Sequence, residues 1–174
     1  MIITISGSPG TGTTTLARKL VAELGIRWIN SGELFRKVAG EKNISVKELN
    51  RLAERSPDID YMIDDVQRAL AKEGPGIFEG RLSGHLLNAD LKIFLKTDQK
   101  VRAGRVSQRE SKLFEDALHE TRVREESEAR RYRKYYNIDI NDLSVYDLVV
   151  DTGKFDEQGT FSIVMAAISA CQRL

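Results

Sequence analysis

The chain opens on Met1-Ile2-Ile3-Thr4-Ile5-Ser6, a β-branched apolar run short enough for a buried strand. Comparable runs recur at 26–29 (Ile26-Arg27-Trp28-Ile29), around 77–78, at 91–95 (Leu91-Lys92-Ile93-Phe94-Leu95) and at 146–150 (Tyr146-Asp147-Leu148-Val149-Val150). Between them, apolar residues return at helical spacing over roughly 14–24, 32–40, 46–55, 58–73, 98–110, 112–136 and 160–173. Strand–helix alternation of this kind predicts an α/β fold, a three-layer α/β/α arrangement around a five-stranded parallel sheet. Sites in such sheets gather at the carboxyl ends of the strands, so the residues that follow each strand carry the chemical reading.

Length and composition narrow the classes. A chain of 174 residues suits a single domain with a real core. Hydrophobic content of 41% and charged content of 30% describe a soluble globular protein. A net charge of +1 gives no whole-molecule attraction to nucleic acid or anionic membrane. No apolar run approaches the ~20 residues of a membrane span, and the N-terminus reads as a strand rather than a secretory leader. A cytosolic protein is expected. There is no internal repeat, and Pro9, Pro57 and Pro75 sit at turns or near helix starts. The lone Cys171 cannot form an internal disulfide and reads as a packing residue. His85 and His119 have no metal-ligand spacing.

After the first strand, Gly7-Ser8-Pro9-Gly10-Thr11-Gly12-Thr13-Thr14 meets the pattern G-x-x-x-x-G-K-[ST] everywhere but at Thr13, where lysine is expected. Glycines let backbone N–H groups close around phosphate oxygens, and the following helix N-terminus adds positive potential. The Thr14 hydroxyl is placed to ligate Mg²⁺. The alternative is an ordinary glycine-rich turn from strand to helix. After the second strand comes Asn30-Ser31-Gly32-Glu33-Leu34-Phe35-Arg36. Ser31 can cap the next helix, and Arg36 can either grip a phosphate or stand solvated on the helix surface. After the third comes Phe78-Glu79-Gly80-Arg81-Leu82-Ser83-Gly84. Glu79 is placed to hold Mg²⁺ through water, with Arg81 facing the same crevice; a turn with a salt bridge is the other reading.

Beyond the fourth strand, Arg102, Arg105 and Arg109 share one helix face by their spacing. Arg122-Val123-Arg124 and Arg130-Arg131-Tyr132-Arg133-Lys134-Tyr135-Tyr136 follow. Three readings compete for this segment. Arginines and tyrosines can stack on RNA bases. They can form a solvated helix with Glu120, Glu125, Glu126 and Glu128 as partners. Or they can be a lid that brings arginines over a triphosphate when it closes.

The combination resembles a nucleoside monophosphate kinase, and within that family the cytidylate kinases of archaeal type. The resemblance covers nearly the whole chain. It is carried by residues 7–15, Ser31-Gly32-x-x-x-Arg36, the segment from Asp60 through Gln67, Glu79-Gly80-Arg81, and Asn141-Asp142-Leu143 leading to Tyr146-Asp147-Leu148-Val149-Val150-Asp151-Thr152. Threonine for lysine at Thr13 is similar to that branch too. The resemblance implies a P-loop kinase fold with a small helical acceptor-binding region at about 31–73 and an arginine-rich lid at about 103–135. It implies transfer of the γ-phosphate of ATP to CMP and dCMP with Mg²⁺ as cofactor, by a monomer whose partners include neither nucleic acid nor membrane.

Residue roles follow from the same resemblance. Gly7, Ser8, Pro9, Gly10, Thr11, Gly12, Thr13, Thr14 and Thr15 would hold the ATP phosphates, with Thr14 and Glu79 at the metal. Ser31, Gly32, Arg36, Gln67, Gly80 and Arg81 would bind the acceptor, with Arg36 and Arg81 on its α-phosphate and Gln67 near the cytosine. Arg36, Arg81, Arg105, Arg109 and Arg131 would carry the charge of the transferring phosphate, and Arg102 would enter the lid beside Arg105. Two departures stand out. Bacterial members carry an acid after Asp-Gly-Arg where this chain has Leu82, and 40–73 replaces a longer acceptor domain. Two rival classes remain on sequence alone: another small-molecule P-loop kinase, and a non-catalytic nucleotide sensor or RNA-binding module.

Overall fold

Strand β1 (Ile2–Gly7) runs through the middle of the sheet, and Ile3, Thr4, Ile5 and Ser6 are all buried, as a strand covered on both faces requires. The computed structural model describes residues 1–171. Strands β2 (Arg27–Asn30), β3 (Gly76–Glu79), β4 (Leu91–Lys96) and β5 (Leu148–Asp151) complete a five-stranded sheet in the order β2-β3-β1-β4-β5, with every pair parallel. The α/β expectation therefore holds. β1 lies between β3 and β4, so the chain leaves β1 at a point where the strand order reverses. That is where a parallel sheet opens a crevice above its carboxyl ends.

Helices α1 (Thr13–Leu24) and α8 (Glu157–Cys171) cover one face. Their Leu16, Ala17, Leu20, Val164 and Ile168 pack against Ile3, Ile5, Ile77, Ile93 and Leu95 in the main core. Leu20 is fully buried there, so truncating it to alanine costs about 2–5 kcal/mol. The other face carries α2 (Ser31–Glu41), α4 (Asp58–Lys72) and α5 (Ser83–Leu86), whose Leu34, Leu70 and Leu86 meet Ile29, Phe78 and Leu87. Helices α2, α3 (Val46–Arg55) and α4 also build a small core of their own around Ala39, Leu49, Ala53, Ile59 and Ile63. A capping box between Ser45 and Glu48 fixes the start of α3. Helices α6 (Gln99–Glu110) and α7 (Phe114–Tyr136) pack on each other across a turn in which Ser111 is left-handed.

Several details differ from the sequence expectation. β5 begins at Leu148, not Tyr146, because the Asp147 carboxylate accepts the Lys92 N–H at 2.8 Å and takes a ladder position. Tyr146 instead inserts its buried ring edge-on to His85 and against Phe94. Its ring lies so close to α5 that a Cβ at Gly84 would come within 2.3 Å of it. α5 itself is a four-residue helix, too short for any periodicity to betray it. The expected end of the last helix at 173 lies outside the described residues. Among the described residues, no helix is long and apolar enough to cross a membrane.

Candidate active site

The loop between β1 and α1 is built to leave backbone donors open. Gly10 and Gly12 have φ of +86° and +94°, values that side-chain-bearing residues avoid. Gly12 caps α1 without any side-chain hydrogen bond, and the first turn of α1 holds no acid. The orphan N–H groups of that turn are thus available to an anion. The rest of the loop is tied down. Thr11, almost wholly buried, donates its hydroxyl to Ser8 O at 2.7 Å, and Thr152 Oγ1 donates to Thr11 O at 2.9 Å from the end of β5. Arg105 donates to Gly10 O and to the backbone and side-chain oxygens of Thr152 at 3.3, 2.7 and 3.0 Å.

Parallel register sets Glu79, at the end of β3, beside Ile5 on one side and Asn30 on the other. Its carboxylate reaches under the loop. Thr13 Oγ1 and Thr14 Oγ1 each donate to Glu79 Oε1 at 2.7 Å. Asn30 Nδ2 and Trp28 Nε1 donate to Oε2 at 2.7 and 3.1 Å. Ser31 Oγ donates to Glu79 O at 3.0 Å. Ser31 is not the cap of α2. Asn30 is, accepting the Glu33 N–H at 3.0 Å, because its shorter reach from the strand end suits that bond while Ser31 turns back to β3. Gly80 must be glycine here, since a Cβ would sit 2.1 Å from Ser31 Oγ.

Arg81 joins two halves of the site. It donates through Nη1 to Ser8 Oγ and through Nε to Glu128 Oε2, both at 2.8 Å. Arg124 donates to the other oxygen of Glu128, also at 2.8 Å. Glu128 is buried, so it is no partner of a solvated helix. Burial opposes its charge, but Arg124 and Arg81 outweigh burial and hold the carboxyl below its ordinary range. Arg102 is also buried and pairs with Glu125 while donating to Pro9 O at 3.4 Å. Arg109 lies two turns further along α6, roughly 10 Å past Arg102. It is exposed and pairs with Glu110 at 2.5 Å, away from the other arginines.

Beside the loop, a pocket is lined by Ser31, Gly32, Asp64, Gln67, Arg81 and Arg131 among others. Arg131 is buried and donates to both oxygens of Asp60, at 2.9 and 3.3 Å. Gln67 is buried and held at both ends: its Nε2 donates to Asp64 Oδ1 at 3.2 Å and its Oε1 accepts from Ser83 Oγ at 2.7 Å. The Tyr136 hydroxyl donates to Asp64 Oδ2. Burial pushes the Asp64 carboxyl up to about 6. Arg36 is exposed and makes no ion pair among the described residues; its guanidinium lies beside Gly32.

Trp28, Asn30, Asp60, Asp64, Arg124, Glu125, Glu128 and Thr152 also belong to the site, beyond the residues expected from sequence. Some had a signal. Trp28 and Asn30 are two apart on one strand and so share a face. Arg124, Glu128 and Tyr132 are spaced by four on α7, which puts an acid between an arginine and a buried ring. Asp60 and Asp64 form the same kind of ladder on α4. No local pattern marks Thr152, which reaches the loop only through tertiary folding.

An uncapped phosphate loop and an arginine-rimmed pocket meet across Arg81 at the carboxyl ends of one parallel sheet, which defines a P-loop nucleotide kinase. The fold agrees: a shikimate kinase from Bacteroides thetaiotaomicron superimposes with a TM-score of 0.61 at 12% identity, over 97% of this chain and 98% of that one. More specifically, the family model described as cytidylate kinase-like matches residues 2–154, and the chain belongs to that family. A cytidylate kinase from Methanothrix thermoacetophila is 66% identical over 98% of this chain and 99% of its own length. One from Methanocella arvoryzae is 46% identical, covering 99% of each.

Proposed function

We propose that this protein transfers the γ-phosphate of ATP to CMP, giving CDP and ADP, and accepts dCMP as well. The observation that carries the reading is the position of Arg81. One guanidinium touches Ser8 of the phosphate loop and lines the pocket of Asp64 and Gln67, so a donor on the loop and an acceptor in the pocket would share it.

The reaction needs no protein nucleophile. An oxygen of the CMP phosphate attacks the γ-phosphorus in line, and the ADP oxygen departs. The chain supplies alignment and charge. Residues 7–15 hold the donor phosphates through the loop and the start of α1. Thr14 would hold Mg²⁺ through its hydroxyl, with Glu79 behind it accepting from that hydroxyl. Among the described residues no cluster of three acids, histidines or cysteines exists to cage an ion. That sparse set suits Mg²⁺, which keeps waters and takes most other ligands from phosphates. Bound there, Mg²⁺ would supply positive charge to neutralise the phosphates.

Arg36 and Arg81 hold the acceptor phosphate, with Ser31, Gly32 and Gly80 shaping its floor and Gln67 near the base. Arg81 is matched by Glu128, Arg102 by Glu125 and Arg131 by Asp60. Phosphates would take over those contacts. Helices α6 and α7 form the lid, and Arg109 joins the site only on closure. The tyrosines of α7 do not favour an RNA surface: Tyr132 is buried, and the Tyr135 and Tyr136 hydroxyls donate to Glu54 O and Asp64. The enzyme acts as a monomer in the cytoplasm.

A transfer assay with Mg·ATP across CMP, dCMP, UMP and AMP tests the reading. Preference for CMP and dCMP is expected. AMP preference, or nucleotide binding without transfer to any of the four, overturns it.

A further inference from the structure

Thr13 occupies the one loop position that departs from the phosphate-binding pattern, and its hydroxyl is turned to the carboxylate at the end of β3. It donates to Glu79 Oε1 at 2.7 Å, alongside Thr14 at the same distance. The direction of that bond is fixed by chemistry. An ionised carboxylate only accepts, so both threonine hydrogens must be spent on it. A carboxylate has about four lone-pair sites. In Glu79 they are filled by Thr13, Thr14, Trp28 and Asn30. The group is buried and has no cationic partner among the described residues, so these donors are what offsets the loss of water around its charge.

Two consequences follow. With its hydrogen committed, the Thr13 hydroxyl offers a phosphate oxygen only lone pairs, which repel it, so whatever Thr13 gives the phosphates comes from its backbone N–H in the first turn of α1. Thr14, held the same way, turns its lone pairs outward, which is what a cation requires. The pocket around Thr13 is also tight: a Cβ at Gly7 would lie 3.0 Å from its methyl carbon.

We propose that Thr13 is a positioning residue for Glu79, and through Glu79 for the Thr14 hydroxyl at the metal, rather than a substitute phosphate ligand. This rests on the kinase reading, in which Mg²⁺ arrives with ATP at Thr14. In place of a lysine charge beside the phosphates, the loop gains a second donor that locks the carboxylate beneath it.

The chain has one tryptophan, and its indole is among the donors to Glu79, so emission from Trp28 reports on this carboxylate. The test compares binding of a non-hydrolysable ATP analogue with and without Mg²⁺, by calorimetry and Trp28 emission. The proteins are the wild type, Thr13→Val, Thr13→Ser, Glu79→Gln and the Thr13→Val/Glu79→Gln double variant. Thr13→Val should cut the Mg²⁺-dependent gain in affinity roughly tenfold, the size expected for one charge-assisted hydrogen bond. It should leave Mg²⁺-free affinity within about twofold, and Thr13→Ser should recover most of the loss. The double variant should be no worse than Glu79→Gln alone, because both changes act through one group. Mg²⁺ should perturb Trp28 emission in the wild type and not in Glu79→Gln.

Equal losses with and without Mg²⁺ in Thr13→Val would make Thr13 a phosphate contact and overturn the proposal. So would losses that multiply in the double variant, or a wild type with no Mg²⁺-dependent gain. If Thr13→Val does not fold, Thr13→Ala enters the same cycle. The outcome is independent of acceptor choice: an enzyme that binds Mg²⁺ and analogue as described but ignores CMP removes the CMP reading and leaves Thr13 where it stands.

Discussion

Arg131 of α7 grips both carboxylate oxygens of Asp60 in α4, at 2.9 and 3.3 Å, across 71 positions of sequence. Both side chains are less than a tenth exposed. This pair ties the arginine-rich helix to α4 across the pocket beside the loop. Its energetic weight lies in what is left when one partner goes. Arg131→Ala should cost about 3–5 kcal/mol by stranding a buried carboxylate. Asp60→Asn/Arg131→Met, which removes both charges, should recover most of that. Urea unfolding of the three proteins checks it, and equal loss in the single and double variants would contradict it.

Arg81→Ala should cripple acceptor use while sparing the donor. Losing a charge-assisted contact costs about 2–4 kcal/mol in the transition state, roughly 30- to 1,000-fold in kcat/KM for CMP. KM for ATP should move less than about threefold, since the loop keeps its restraints from Thr152 and Arg105. Steady-state kinetics in both substrates decide the matter, and equal losses for ATP and CMP would take Arg81 out of the acceptor site.

Arg105 and Arg109 share a helix face but should part company in function. Arg105 holds the loop backbone now, so Arg105→Ala should raise KM for ATP and lower thermal stability. Among the described residues Arg109 pairs only with its neighbour Glu110, so in the proposed kinase its contribution would come with lid closure. Arg109→Ala should lower kcat and leave ATP binding alone. A kinetically silent Arg109→Ala would exclude it from the chemistry.

Asp64 predicts a specific pH dependence. Burial lifts its carboxyl from an ordinary 3.8 to about 6; Asp60 pushes the same way, while Tyr136 and Arg68 oppose. The folded protein therefore keeps this proton over a range in which the unfolded chain has released it. Stability falls as pH rises from about 4 to 6, and the Asp64 share is on the order of 3 kcal/mol. Glu128 runs the opposite way: held below its ordinary range, it adds stability that is lost as pH falls. Urea midpoints of wild type and Asp64→Asn at pH 4.5 and 7.5 separate the two. Asp64→Asn should lose the decline, and parallel curves would refute the assignment.

The sheet and the loop were legible because they are local. Ile3 and Ile5 alternate with Thr4 and Ser6 in a run too short for a helix, and the glycines of 7–12 announce a turn with left-handed residues. The arginines were legible as a group but not as individuals. Arg102, Arg105 and Arg109 have the same spacing argument, yet one is buried against Glu125, one grips the loop and one faces solvent. Periodicity gives a face and not how far along the helix the neighbouring element extends. Glu128 shows the converse. It reads as one of several solvated acids on a charged helix, and only the crossing of α7 over Arg81 makes it a buried junction. Ser31 failed as a cap because the chain offered Asn30 one position earlier, at the strand end.

The hydroxyl of Thr152 that holds Thr11 O bridges 141 positions of chain. The phosphate loop is therefore synthesised well before the residue that restrains it. A nascent chain that has not yet released β5 from the ribosome carries the complete loop sequence without the brace that shapes it. The shape of the loop is thereby linked to completion of the sheet's last strand.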